Sequence, residues 1–173
     1  LLDMSSPELM APGGMVERVR SLWVPGPGAS AAEEAEAGVG EPQTSGVDPR
    51  ERATVLRAIT DSLALAYRRA TRRTIELSGT RPEAIHLVGG GSKNRLLAQE
   101  TADATGIPVI AGPVEATALG NMLMSLRAIG AASGTLMDLR AISLASSALV
   151  TYEPRASHAR LWDEAEALLD ARS

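Results

Sequence analysis

Cysteine and phenylalanine are both missing from this 173-residue chain, and aromatic residues make up only 2% of it. Without cysteine, the chain has no disulfides, no thiolate nucleophile and no zinc site built on thiolates. Lysine is almost missing too, because Lys93 is the only lysine among the 17 basic residues. An amine nucleophile therefore has a single candidate, and arginines must supply any other positive contact.

Excess positive charge and long apolar runs are also lacking. The formal net charge of −4 argues against nonspecific nucleic-acid binding, which draws its affinity from clustered Lys and Arg. No apolar run approaches the roughly 20 residues needed to span a bilayer, and the N-terminus has no signal-peptide pattern. The two histidines, His86 and His158, are far apart in sequence and show no metal-ligand spacing. We therefore expect a cytoplasmic protein with no metal site of its own and no nucleic-acid or membrane partner.

Residues 1–48 are predicted to be an irregular N-terminal segment. Six of the ten prolines fall within the first 50 residues, and proline interrupts helices and strands alike. The spacing of apolar residues predicts one short helix at Met15–Trp23, and the Gly/Ala/Glu/Pro-rich stretch 25–48 is predicted to be a flexible insertion. Because the chain does not begin with Met, we expect a fragment of a longer protein.

Residues 49–173 have regular patterns that predict an α/β domain with few strands flanked by helices. Apolar residues three and four apart predict a long helix from Pro49 to about Ser78, and further helices are expected near 92–105, 115–129, 137–146 and 158–171. Short apolar runs at 85–88 and 107–110, with 149–152, predict two or three strands. Two or three strands are fewer than most sheets have. A complete doubly wound domain would carry the missing strands upstream.

The segment most informative about function is Ile85-His86-Leu87-Val88-Gly89-Gly90-Gly91-Ser92-Lys93-Asn94. Three glycines between a strand and a helix leave no Cβ atoms in the way of a close ligand, and the helix that follows directs its free N–H groups at the loop. A nucleotide would suit this loop, but tight packing alone is an equally good explanation. The spacing is neither that of a P-loop nor that of a dinucleotide-binding fingerprint.

The run from His86 to Leu97 resembles the adenosine motif of FGGY carbohydrate kinases, members of the actin-like ATPase superfamily. It is followed at the right distance by Thr101-Ala102-Asp103-Ala104-Thr105-Gly106-Ile107-Pro108-Val109. The next run, Ala111-Gly112-Pro113-Val114-Glu115-Ala116-Thr117-Ala118-Leu119-Gly120-Asn121, is similar to the rhamnulokinase branch. The resemblance covers residues 49–154 well. Ala98 departs from it, since the family commonly has Asn there, and the 25–48 stretch is longer than expected.

The resemblance implies part of an actin-like ATPase (ribonuclease H-like) C-terminal domain and a kinase that uses ATP and Mg²⁺. The implied reaction transfers the γ-phosphoryl group of ATP to a ketose. The similarity to the rhamnulokinase branch implies that the acceptor is the 1-hydroxyl of L-rhamnulose. Gly89, Gly90, Gly91 and Asn94 are the implied nucleotide-binding residues. The sugar site and catalytic aspartate belong to an N-terminal kinase domain not found in this chain. We therefore assign no catalytic residue here and expect the chain alone to be inactive.

Other readings of the same residues remain open. The loop could belong to a noncatalytic adenine-nucleotide-binding or interaction module, or, against its glycine spacing, to a Rossmann-like cofactor domain. Asn94 could simply cap the helix, for which Ser92 is also a candidate. Structural roles are expected for the remaining polar residues: a hydrogen-bonded His86 on one strand face, a solvated Lys93, a solvated or salt-bridged Asp103 and Glu115 at a helix N-terminus. Gly120 is expected where a neighbouring helix packs closely.

Overall fold

A computed structural model of the chain describes residues 1–4, 6–10, 15–22 and 49–171. The predicted insertion at 25–48 and Trp23 lie outside these residues, so the division at residue 48 stays a prediction. The helices are α1 (Met15–Leu22), α2 (Pro49–Ser78), α3 (Arg95–Thr105), α4 (Ala116–Ala128), α5 (Leu136–Ala145) and α6 (Ala159–Asp170); the strands are β1 (Ile85–Leu87), β2 (Val109–Ala111) and β3 (Val150–Tyr152). None of the described helices is both long and apolar enough to cross a bilayer.

The three strands form one sheet in the order β1-β2-β3. β1 runs parallel to β2, with His86 beside Ile110, and β3 runs antiparallel to β2, with Thr151 beside Ile110. β2 is therefore the central strand of the sheet. Pro108 precedes the strand, where its missing N–H is harmless, and its carbonyl accepts a hydrogen bond from Ile85 N at 2.9 Å. The predicted strand-poor α/β architecture is confirmed.

One face of the sheet packs against α3. Ala98 and Ala102 of this helix form a buried cluster with Val109 and Ala111 of β2, and Ile85, Leu87 and Tyr152 pack around it. The other face carries His86, Ile110 and Thr151, of which the first and last are exposed. Strict alternation along each strand separates these two sets of side chains.

A second apolar cluster joins α2, α3 and α6 and includes Leu65, Ala104 and Trp162. In α6 the buried positions are Trp162, Ala165 and Leu169, a spacing of three and four residues that follows one side of a helix. Leu161 and Leu168 lie off this stripe and are 43% and 40% exposed, whereas Trp162 is 6% exposed.

Arg68 ties the same three helices together through polar contacts. Its side chain is 6% exposed; its Nε donates to Glu166 Oε2 at 2.9 Å and its Nη1 to the Ala104 carbonyl at 2.7 Å. The Nη2 group also pairs with Asp163. A buried guanidinium is tolerated only when its donors are satisfied, so this arginine fixes how α6 sits on α2 and α3.

Candidate functional site

The glycine loop leaves β1 through a backbone conformation that only glycine adopts readily. Gly89 has φ 77° and ψ −164°, a region closed to residues with a Cβ. The chain then makes one short 3-10 turn, Gly90–Lys93, in which Ser92 Oγ donates to the Gly89 carbonyl at 2.6 Å. Lys93, the last residue of the turn, is exposed, as expected.

Asn94, and not Ser92, begins the helix after the turn. Its backbone is extended, with φ −82° and ψ 91°, and its Oδ1 accepts a hydrogen bond from Leu97 N at 3.0 Å. This is the ordinary geometry of an N-cap. The expectation that Ser92 caps the helix is therefore wrong, because its hydroxyl is used inside the turn. The Asn94 side chain is exposed, and its amide nitrogen has no hydrogen-bond partner within the described ranges.

Packing against the rest of the fold does not explain the second and third glycines. A Cβ added to Gly90 would meet no atom within 4 Å, and one added to Gly91 would come no nearer than 4.0 Å to Leu87 Cδ1. Neither residue has the positive φ that would require glycine for conformational reasons. Within the described part of the chain, the surface over Gly90 and Gly91 is therefore bare backbone open to solvent.

A second loop, Gly112–Glu115, lies directly beside the first. The Gly112 N–H donates to the Leu87 carbonyl at 2.8 Å, and the Gly89 N–H donates to the Pro113 carbonyl at 3.0 Å. Both loops leave the carboxyl ends of neighbouring parallel strands, which is where open α/β sheets bind ligands. Sequence reasoning did not join these loops, although their positions directly after two parallel strands are a signal that could have done so.

Two further titratable side chains lie beside these loops, Glu115 and His86, and neither makes a side-chain hydrogen bond to another described residue. Glu115 precedes the first residue of α4, as predicted, but its exposed carboxylate makes no capping hydrogen bond. His86 is exposed on the face opposite Ile85 and Leu87. Its side chain has no hydrogen-bond partner among the described residues, so its role as a hydrogen-bonded structural histidine stays a prediction.

The far end of α3 carries a buried ion-pair network centred on Asp103. The carboxylate is fully buried and accepts hydrogen bonds from Arg155 N at 2.7 Å, Arg155 Nε at 2.8 Å and Gln99 Nε2 at 3.0 Å. His158 Nδ1 lies 3.2 Å from the same carboxylate. Asp103 is therefore salt-bridged, as expected, but it is not on a solvated face. Its contacts fasten the segment after β3 to the helix that follows the glycine loop.

Glu100 completes this network one turn earlier. Its carboxylate lies 3.1 Å from Arg57 Nη2 and 3.5 Å from Arg155 Nη2. Burial raises the pKa of Glu100, and the negative charges of Asp61 and Asp103 act in the same direction against the attraction of Arg57. Burial alone would also raise the pKa of Asp103, but the hydrogen bonds from Arg155 outweigh it and hold that pKa below its usual value.

Glu100, Asp103 and His158 bring potential metal ligands within 4.8 Å of one another. Sequence spacing did not foresee this, because the histidine comes from a distant segment. The carboxylates already face two guanidinium groups, Arg57 and Arg155, which supply the positive charge that a cation would bring. The cluster is an ion-pair network, and its residues do not fit a magnesium site.

Comparison with known proteins bears on this glycine loop and on the fold around it. Residues 19–129, more than half of the chain, match the C-terminal domain of the FGGY family of carbohydrate kinases. A rhamnulokinase of Bacteroides thetaiotaomicron is 39% identical over 166 residues, which cover 94% of this chain and 34% of that protein. A rhamnulokinase of Pectobacterium atrosepticum is 47% identical over 85 residues, or 49% of this chain and 17% of that protein.

A solved structure supports the same fold. The xylulose kinase from Rhodospirillum rubrum superposes with a TM-score of 0.50 at 21% identity, covering 77% of this chain and 26% of that one. In each of these comparisons the chain spans about a third or less of the other protein's length.

Proposed function

Because the chain belongs to the FGGY family of carbohydrate kinases, we propose that it supplies the adenosine-binding side of an ATP-dependent sugar kinase. The observation that carries this proposal is the bare backbone at Gly90 and Gly91, for which packing in the described part of the fold gives no reason. Glycines that are not needed for packing or for positive φ are explained by the close approach of a ligand. The loop's place at the carboxyl ends of two parallel strands supports the same conclusion.

Each of the four loop residues has a distinct part in this proposal. Gly89 turns the chain out of β1, and Gly90 and Gly91 leave room for the ribose and base of the nucleotide. Asn94 uses its oxygen to cap α3, which leaves its amide nitrogen to donate to the nucleotide. We propose these contacts as the binding role of Gly89, Gly90, Gly91 and Asn94.

The sugar substrate proposed is a ketose, L-rhamnulose, phosphorylated on its 1-hydroxyl. The names of the relatives favour it, because the two rhamnulokinases match at 39% and 47% identity. Phosphoryl transfer relies mainly on positioning and on Mg²⁺, which neutralises the phosphate charge. The described residues offer no magnesium site, so within this proposal the metal arrives with the phosphates and is not held by those residues.

Two assays test the proposal. The full product of the gene that contains this chain should release ADP in the presence of ATP and L-rhamnulose, with a higher kcat/KM than for D-xylulose or glycerol. A preference for another sugar would contradict the substrate, and no ATP-dependent phosphorylation of any ketose would favour a noncatalytic nucleotide-binding module. The purified 173-residue chain should release no ADP with L-rhamnulose. Steady ADP release by this chain would contradict the proposal that it supplies only the adenosine-binding side of the site.

A further inference from the structure

The second loop, Gly112–Glu115, is confined at its first residue. Gly112 is buried and has a φ of 112°, a backbone conformation that residues with a side chain rarely adopt. A Cβ at this position would lie 2.8 Å from the Ala148 carbonyl oxygen and 3.0 Å from Leu149 Cδ2. Residues 148 and 149 therefore leave no room for a side chain at Gly112.

The obstacle to a side chain there is main chain that the sheet holds in place. Residues 148 and 149 lie directly before β3, and Val150 of that strand is paired with Ala111 of β2. Beyond the other end of β3, the Arg155 N–H donates to Asp103 Oδ1 of α3 at 2.7 Å. A carbonyl next to a strand that is held at both ends cannot move aside as the tip of a flexible side chain can.

The second loop in turn holds the first residue of the glycine loop. The Gly89 N–H donates to the Pro113 carbonyl at 3.0 Å, and the Gly112 N–H donates to the Leu87 carbonyl at 2.8 Å. A Cβ on Gly89 would lie 4.0 Å from the Val114 carbonyl oxygen, so the two backbones are also in van der Waals contact. A displacement of the second loop is therefore passed to Gly89.

We propose that Ala148 and Leu149 form a support that fixes Gly112, and that Gly112 is thereby a positioning residue for the nucleotide. The support fixes the second loop, the Pro113 carbonyl fixes Gly89, and Gly89 fixes the two bare glycines that follow it. This inference rests on the proposed function, because only there do those two glycines face the nucleotide. Gly112 acts through the glycine loop and does not itself touch the ligand.

A methyl group at Gly112 should be felt by ATP and not by the sugar. A Cβ that starts 2.8 Å from a carbonyl oxygen must move away by about half an ångström to reach ordinary contact. Misplacement of a positioning group by about 1 Å can cost up to about 100-fold in activity, so a smaller shift should cost less. The loss should fall on the affinity for ATP, because the glycine loop is proposed to contact adenosine alone.

The first test compares Gly112→Ala with Gly134→Ala in the full gene product. Gly134, between α4 and α5, is the matched control because its φ is 109° and its Cβ would lie 2.7 Å from Asp138 Oδ2. The three atoms nearest that Cβ would all belong to Asp138. We expect both variants to lower the melting temperature. Only Gly112→Ala should raise the KM for ATP, by roughly fivefold or more, with kcat and the KM for the ketose within about twofold of wild type.

A second pair of variants tests the support without straining Gly112. Leu149→Ala removes the side chain whose Cδ2 faces Gly112, and Leu149 is 39% exposed, so the fold should be kept. Leu161→Ala, at a 43% exposed position on α6, is the matched control. We expect the KM for ATP to rise by roughly threefold in Leu149→Ala and to stay at the wild-type value in Leu161→Ala.

A KM for ATP that rose no more in Gly112→Ala than in Gly134→Ala would overturn the inference. If Gly112→Ala does not fold, the leucine pair decides, and equal KM values in its two members would overturn it as well. Gly90→Leu separates this failure from that of the proposed function. An unchanged KM for ATP in Gly90→Leu refutes nucleotide binding by the loop, whereas a raised KM there, with wild-type values in Gly112→Ala and Leu149→Ala, refutes the positioning role alone.

Discussion

Gly89 and Gly90 are neighbours in one loop, yet the structure gives them different reasons to be glycine. Gly89 has a φ of 77°, which no side chain favours, whereas Gly90 has ordinary φ and open space around its Cα. Gly89 is needed for its backbone conformation, whereas Gly90 leaves the backbone surface of the loop uncovered. Mutations at the two positions should therefore separate folding from binding.

We predict that Gly90→Leu leaves the free energy of unfolding within about 1 kcal/mol of wild type, because nothing lies within 4 Å of the new Cβ. In the full gene product it should raise the KM for ATP by roughly tenfold, which corresponds to about 1.4 kcal/mol. Gly89→Ala should instead lower the free energy of unfolding by about 1–3 kcal/mol, because of its backbone conformation. Denaturant titration and ATP-dependent kinetics measure the two effects. If the KM for ATP were unchanged in Gly90→Leu, the three glycines would have a structural role only.

Asn94 allows capping to be separated from binding by one pair of variants. Asn94→Asp keeps an oxygen that accepts from Leu97 N, and Asp caps helices as well as Asn does. It also replaces the amide nitrogen with a negatively charged oxygen. We expect thermal stability to be unchanged and ATP affinity to fall. Asn94→Ala should lose about 1 kcal/mol of stability in addition, since the cap is removed. If Asn94→Asp bound ATP normally by calorimetry, Asn94 would be a cap only.

At the scale of elements, Arg68 is the polar contact that holds α6 against α2 and α3. Arg68→Ala leaves Glu166 and the Ala104 carbonyl without this partner in a buried place, so we predict a loss of about 3 kcal/mol in unfolding free energy. Arg73→Ala is the matched control on the same helix, because the Arg73 side chain is 70% exposed and, of the residues that the structure describes, pairs only with Glu76, at 3.3 Å. It should change stability by less than about 0.5 kcal/mol. Equal losses by chemical denaturation would contradict a structural role for Arg68.

The two carboxylates on α3 should act on stability in opposite directions as the pH changes. The pKa of Asp103 is lowered in the folded chain, so its contribution is present above the unfolded pKa of about 3.9 and is lost as the pH falls through the folded value. The pKa of Glu100 is raised, so its protonation begins to add stability as the pH falls through its folded pKa, above the unfolded value of about 4.3.

Melting temperatures from neutral to acidic pH measure these contributions in two variants. Asp103→Asn should be less stable than wild type at neutral pH, with a smaller difference in strong acid. Glu100→Gln should lose the stability gained on mild acidification. Parallel melting curves of both variants and wild type at every pH would contradict the assignment.

Element types were predictable from the sequence because their signals are local. The apolar repeat of α2 and the glycine stop at Gly106, which has φ 66°, depend on residues close in the chain. The pairing of Asp103 with Arg155 and His158 was not foreseen, because 52 and 55 residues of chain separate these partners from it. The glycine loop was recognised as a candidate site. The loop beside it, at Gly112–Pro113, was not joined to it, because that step requires β1 and β2 to be neighbours in the sheet. The exposure of Met122 and Ile129, 51% and 76%, was not foreseen, because an apolar stripe looks the same in sequence whether or not a partner packs against it.

At the scale of the whole molecule, the proposal gives the chain one part of a nucleotide site. The glycine loop and Asn94 face the adenosine in the proposed complex, and the described residues offer no magnesium site. Interactions that distinguish ATP from AMP must act on the β- and γ-phosphates, and the loop residues assigned to the ribose and base do not make them. We therefore predict that the 173-residue chain binds AMP and ATP with affinities within about threefold of each other, whereas the full gene product prefers ATP by roughly tenfold or more, about 1.4 kcal/mol. Calorimetric titration of both proteins, with Gly90→Leu as the control that should weaken both ligands, measures the two ratios. A tenfold preference for ATP by the chain alone would mean that these residues also hold the phosphates, and binding of neither ligand would place the adenosine side outside them.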